Sequence, residues 1–77
     1  MLDIIKNGLR NNDYYICLYP KHIYIYNYIE IITFTNEFII ISFNDFKLKI
    51  KGKSMHIKKM AHFELLIEGI IIGVNYE

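Results

Sequence analysis

The sequence predicts an all-β domain. Its form is a small antiparallel meander of six to seven strands that closes as a sandwich or a barrel, with a short N-terminal helix or arm. Three observations predict it. From Tyr14 onward the apolar residues recur with a period of two, the repeat of a strand with one buried face. The chain is rich in Ile, Tyr and Phe, residues that suit a pleated surface better than a helix. The polar breaks between runs are about two to three residues long, too short for the crossover that a parallel pair requires.

Residues 1–13 stand apart. Leu2, Ile5 and Leu9 form a short helical stripe, weakened by Asn7-Gly8, and Asn11-Asn12-Asp13 has the chemistry of a turn. The first strand is expected at Tyr15–Tyr19, stopped by Pro20, which cannot donate to a ladder. His22–Tyr28 follows, with Ile23 and Ile25 on one face and Tyr24, Tyr26 and Tyr28 on the other. Ile29–Thr35 comes next, then a turn at Asn36-Glu37, the strand Phe38–Phe43 and a turn at Asn44-Asp45. Phe46–Lys51 alternates cleanly, Phe46, Leu48 and Ile50 against Lys47, Lys49 and Lys51. Gly52-Lys53 is expected to turn the chain into Ser54–Lys59, and Ala61-His62 into Phe63–Glu68. Gly69 allows a bend or bulge before Ile70–Tyr76. Phe46, Leu48, Ile50, Ile57, Phe63, Leu65 and Ile67 are the expected core. Ile39–Ile41 and Ile70–Ile72 are apolar on both faces, so the sheet must fold on itself or bury its second face in a partner.

Size and composition exclude several classes. Seventy-seven residues make one domain, and a chain this short buries only about 60% of its unfolded surface. An apolar fraction of 53% excludes intrinsic disorder. A single cysteine, Cys17, excludes a disulfide framework and a CxxC zinc site. No apolar run approaches the roughly 20 residues of a spanning helix. The first ten residues hold Asp3, Lys6 and Arg10 and no apolar signal-peptide core, so a cytoplasmic protein with a reduced Cys17 is expected.

No catalytic or cofactor site is expected. His22, His56 and His62 lack ligand spacing, and Cys17 sits between Ile16 and Leu18 like a small strand residue. Ser42 and Ser54 lack a nucleophile elbow. Carboxylates are spread singly, and Gly52, Gly69 and Gly73 form no phosphate loop. Charge is the uneven feature. Residues 44–62 carry six lysines against Asp45, a local balance of +5, within a chain of net +1. Lys47, Lys49 and Lys51, with Lys58 from the next strand, form a candidate anion-contacting face for a phospholipid surface or polyanionic polymer. Its bland reading is a solvated face that keeps an edge from aggregating. Nucleic acid is not expected, because no aromatics interleave the lysines. Tyr24, Tyr26 and Tyr28 form a candidate association face. A homo-oligomer or an obligate complex is therefore expected through that face or the C-terminal strand, with the lysines left outside the contact.

Three runs resemble the YabP/YqfC family of sporulation proteins of endospore-forming Firmicutes. Ile25-Tyr26-Asn27-Tyr28 leading to Ile31-Ile32-Thr33-Phe34 looks like the family's I-E-N-aromatic … G-I-L-x-F/Y segment. Leu48 to Met60 is similar to its L-x-I-x-G-x-N-L-x-I-x-x-[LIM] hairpin. Ile67 to Tyr76 looks like I-x-G-x-I-x-x-I-x-[YF]. Tyr26, Glu30 and Phe46 depart from the Glu, Gly and Gly usual at those positions, which marks a divergent member. The resemblance implies a non-enzymatic structural or protein-interaction module in spore envelope or coat development. It would be made in the mother cell and act at the developing spore surface, with itself or other sporulation proteins as partners. The resemblance implies no catalytic residues.

Overall fold

The computed structural model describes residues 14–77; the expected N-terminal helix or arm lies outside them. Six strands form: β1 (Tyr15–Tyr19), β2 (His22–Tyr26), β3 (Glu30–Phe34), β4 (Phe38–Ser42), β5 (Lys47–Ala61) and β6 (Glu64–Tyr76). All pair antiparallel in one sheet of order β1-β2-β6-β5-β4-β3. Among the described residues the sheet is not closed, and β1 and β3 are its two ends.

The order corrects the expected meander at one step: β2 pairs with β6 and not with β3. The reason is the length of the central hairpin. Fifteen extended residues of β5 would span more than ~45 Å, yet the longest dimension of the molecule is 33 Å. The hairpin must bend, and the sheet bends with it. Its smallest extent is 22 Å, several times the thickness of one flat sheet. One half holds β1, β2, the start of β6 and the end of β5; the other holds β3, β4, the start of β5 and the end of β6. Because the halves stack, residues 27–29 carry the chain straight from one to the other. Asn27 takes a left-handed backbone (φ 66°) and donates its N–H to the Phe63 carbonyl at 2.7 Å. Ile29 donates to Ser42 at 2.8 Å.

The bend also corrects the expected turn at Gly52-Lys53. There the chain continues as a single strand, with register shifts at Lys51/Gly52, Lys53/His56 and Ile57/Lys59. Ser54 (φ 54°) and Gly69 (φ 146°) supply the left-handed backbone. A methyl added at Gly52 would overlap the Ile70 carbonyl oxygen and lie 2.8 Å from Met55 Sδ; one added at Gly69 would lie 2.7 Å from Met55 Cα. The backbone groups freed by the shifts find partners in the outer hairpins. Gly69 and Ile71 donate to the carbonyls of Lys21 and Pro20, and Gly52 and Met55 to those of Glu37 and Asn36.

The core lies between the halves. Ile23, Ile25, Ile39, Ile41, Ile50, Leu65 and Ile67 are wholly buried, joined by Leu48, Phe43 and Met55 in one cluster. Phe46 and Ile57 pack against it half-buried. Phe63 does not join: it occupies the β5–β6 turn with φ 64°, half exposed, its ring 4.0 Å from His62.

Candidate interaction surfaces

The lysine face divides in two. Lys47, Lys49 and Lys51 alternate outward along β5 while Leu48 and Ile50 point into the core. Lys49 lies 4.5 Å over the Phe38 ring and 3.8 Å from a Glu77 carboxylate oxygen. Lys47, Lys51 and Lys53 are exposed and have no ion pair among the described residues. Ile70 stands opposite Lys53, and it and Ile72 are exposed. Lys58 is not beside this row, because β5 does not turn back at Gly52. It lies beyond the bend and binds Glu68 at 3.1 Å, a carboxylate shared with His56 at 3.3 Å. The Lys58 hydrogen bond holds the Glu68 carboxyl below its ordinary range.

The tyrosine row is also rearranged. Tyr24 and Tyr26 project from the outer face of β2, but the strand ends there. Past left-handed Asn27 the alternation is lost, and Tyr28 packs against the core cluster instead. Its place is taken by Tyr15, whose ring stacks on Tyr26 at 5.1 Å and lies 6.1 Å from Tyr24. Sequence reading missed Tyr15, although the two-residue turn at Pro20-Lys21 fixes the register that sets it opposite Tyr26. Burial and the nearby Glu64 carboxylate push the Tyr24 phenol up to about 12.

The histidines lie apart. His22 stacks on Tyr19 at 4.3 Å, His56 meets Glu68, and His62 contacts Phe63. Among the described residues no three His, Cys, Asp or Glu side chains converge as a metal site. Cys17 is buried, and burial pushes its thiol up, away from the thiolate that a nucleophile requires.

The family model of the YabP family matches residues 17–77. That match runs from within β1 to the last residue and takes in both halves of the sheet and the bent hairpin between them. The chain belongs to the YabP family. Membership suggests a sporulation-related role for this YabP-family domain. No curated protein and no solved structure matches the chain.

Proposed function

We propose that the chain is a non-enzymatic structural or protein-interaction module of endospore formation, acting in spore envelope or coat development. The observation that carries this reading is the YabP family match across almost the whole folded domain. Large exposed apolar side chains, above all Leu18 and Ile72, which line one groove, support binding to other proteins, since contiguous exposed apolar surface marks interaction sites. The test uses a spore-forming host. A fluorescent fusion under its own promoter should light up only in the mother cell, at the developing spore surface. Deleting the gene should lower the yield of resistant spores. Expression throughout vegetative growth, with spore yield unchanged by deletion, rejects the reading.

A second reading is favoured by the exposed Lys47, Lys51 and Lys53, the last of them opposite the exposed Ile70. Lysines above apolar side chains suit the surface of an anionic bilayer. In this reading the protein co-sediments with phosphatidylglycerol vesicles at low salt and is released as salt rises. Vesicle binding that ignores salt rejects it.

A further inference from the structure

Four stretches of strand edge lack a neighbouring strand among the described residues. Three are guarded in the ways that sheets avoid sticking together. β3 carries a bulge at Ile31/Thr33 and begins with Glu30. The end of β5, beyond its pairing with β4, carries His56, Lys58 and Lys59. The end of β6 has its Ile71 N–H taken by the Pro20 carbonyl. The outer edge of β1 has no such guard among the described residues. Tyr15–Tyr19 holds no charge, and its pairing with β2 is free of register shifts.

The direction of its open hydrogen-bonding groups follows from β2. Asn27 donates its N–H toward β6, to Phe63. Antiparallel bonding alternates along a strand, so Ile23 and Ile25 also face β6 and Tyr24 faces β1. Tyr24 is opposite Cys17. The groups of Cys17 are thus spent on β2, and those of Ile16 and Leu18 point to the open edge. The side chains of Ile16 and Leu18 lie on the core side; Ile16 packs half-buried against the core cluster, but Leu18 is left uncovered among the described residues. Leu18 is 57% exposed above a groove of about 280 Å³ shared with Tyr19, Pro20, Ile71 and Ile72. Ile16 lines an adjoining groove of about 310 Å³ with Leu48, Val74 and Tyr76.

We propose that β1 is a self-association edge and that its occupant is a second copy of this chain, paired antiparallel about a two-fold axis at Cys17. This rests on the interaction-module reading and names its partner. The register is the one that uses all five residues: Cys17 faces Cys17, Ile16 faces Leu18 and Tyr15 faces Tyr19 of the second copy. The outward groups of Ile16 and Leu18 then bond to each other across the axis. The strand is complementary to itself, because its uncharged sequence brings no like charges together, and both apolar grooves continue across the seam. Two-fold pairing is also the commonest way in which identical chains associate. Five residues a side fall short of the roughly 800 Å² per partner of a standard interface, so the dimer is reversible and concentration-dependent.

The register supplies its own test. Cys17 and its copy form a non-hydrogen-bonded pair with Cα atoms about 4.5 Å apart, within the roughly 4.4–6.8 Å of disulfides. The full chain should sediment as a reversible dimer at micromolar concentration. Diamide, which takes up the two thiol hydrogens, should link that dimer through Cys17, as peptide mass mapping reads. Cys17→Ser should abolish the link and keep the dimer. Leu18→Lys should shift the protein to monomer, with the melting curve that the unaltered chain shows when diluted to monomer. Should that variant fail to fold, cross-linking of the unaltered chain decides. A monomer at every concentration overturns the proposal. A dimer that survives Leu18→Lys without a Cys17 link also overturns it and places self-association elsewhere. Neither outcome bears on spore phenotype, which tests the broader reading separately.

Discussion

Gly52 and Gly69 both press against Met55 at the bend, while Gly73, a few residues on, has nothing within 4 Å of where a Cβ would stand. Three alanine substitutions therefore separate crowding from flexibility. Gly69→Ala meets both the Met55 backbone and a φ of 146° that side chains rarely adopt; the backbone conformation alone costs about 1–3 kcal/mol. Gly52→Ala collides with backbone at Ile70 and should also lower the melting temperature. Gly73→Ala should change stability by less than about 1 kcal/mol, with unfolded-chain entropy favouring the alanine. Thermal melts of the three variants are the check, and equal losses would show that the bend is not the constraint. Glu68 gives a second residue-level expectation. Its carboxyl titrates below the ordinary range because Lys58 binds the charged form. The unfolded carboxyl, near ~4.3, takes up its proton first as pH falls. The stabilisation is thus present above that pH and lost below it. Glu68→Gln should flatten part of the acid limb of stability below about pH 4, because it removes the same small stabilisation at neutral pH. Tyr24 runs the other way. Its phenol stays neutral up to about 12 in the fold but ionises near ~10 when unfolded. Stability should fall as pH rises from about 10 to about 12, and Tyr24→Phe should remove that part of the alkaline loss, as denaturant melts across the range would read.

At the scale of single elements, alternation was the legible signal. Leu48 and Ile50 were expected inside and are buried at 2% and 0%. Leu48→Ala or Ile50→Ala should cost about 2–5 kcal/mol, and wild-type melting of both would contradict their placement. Leu65 and Ile67 were equally readable, as was the β1–β2 hairpin from Pro20-Lys21. Lengths were not. Gly52-Lys53 has the composition of a tight turn, and nothing local distinguishes a turn from a bulge at which both strands continue. What decides is remote: Glu37 and Asn36 accept the hydrogen bonds of Gly52 and Met55, and those turn residues lie on another hairpin. Period alone places Phe63 in the core, but the turn falls one residue later than expected, at His62 and Phe63, and leaves its ring outside.

For the molecule as a whole, composition and short connectors were enough for an all-β fold turned on itself, but not for strand order. Short links imply neighbouring strands only in a flat sheet. Once the sheet doubles over, the end of β2 and the start of β3 approach through space although the central hairpin separates them. The same doubling explains why the candidate surfaces were only partly visible. Lys47, Lys49 and Lys51 follow from local period and hold together. Lys58 would join them only through a turn at Gly52-Lys53, where β5 instead runs on, and Tyr28 would join Tyr24 and Tyr26 only through a longer β2, which ends at Tyr26.

The bend is held from outside by four carbonyl oxygens, those of Pro20, Lys21, Asn36 and Glu37. All four are main-chain atoms, so these stitches are blind to the side chains that carry them. Lys21→Ala and Glu37→Ala should melt close to the wild type, whereas inserting one residue into either turn would pull the carbonyls out of reach and unfasten the bend. The shape of the domain is thus written in the lengths of two loops more than in their letters, and their surface chemistry is free to drift.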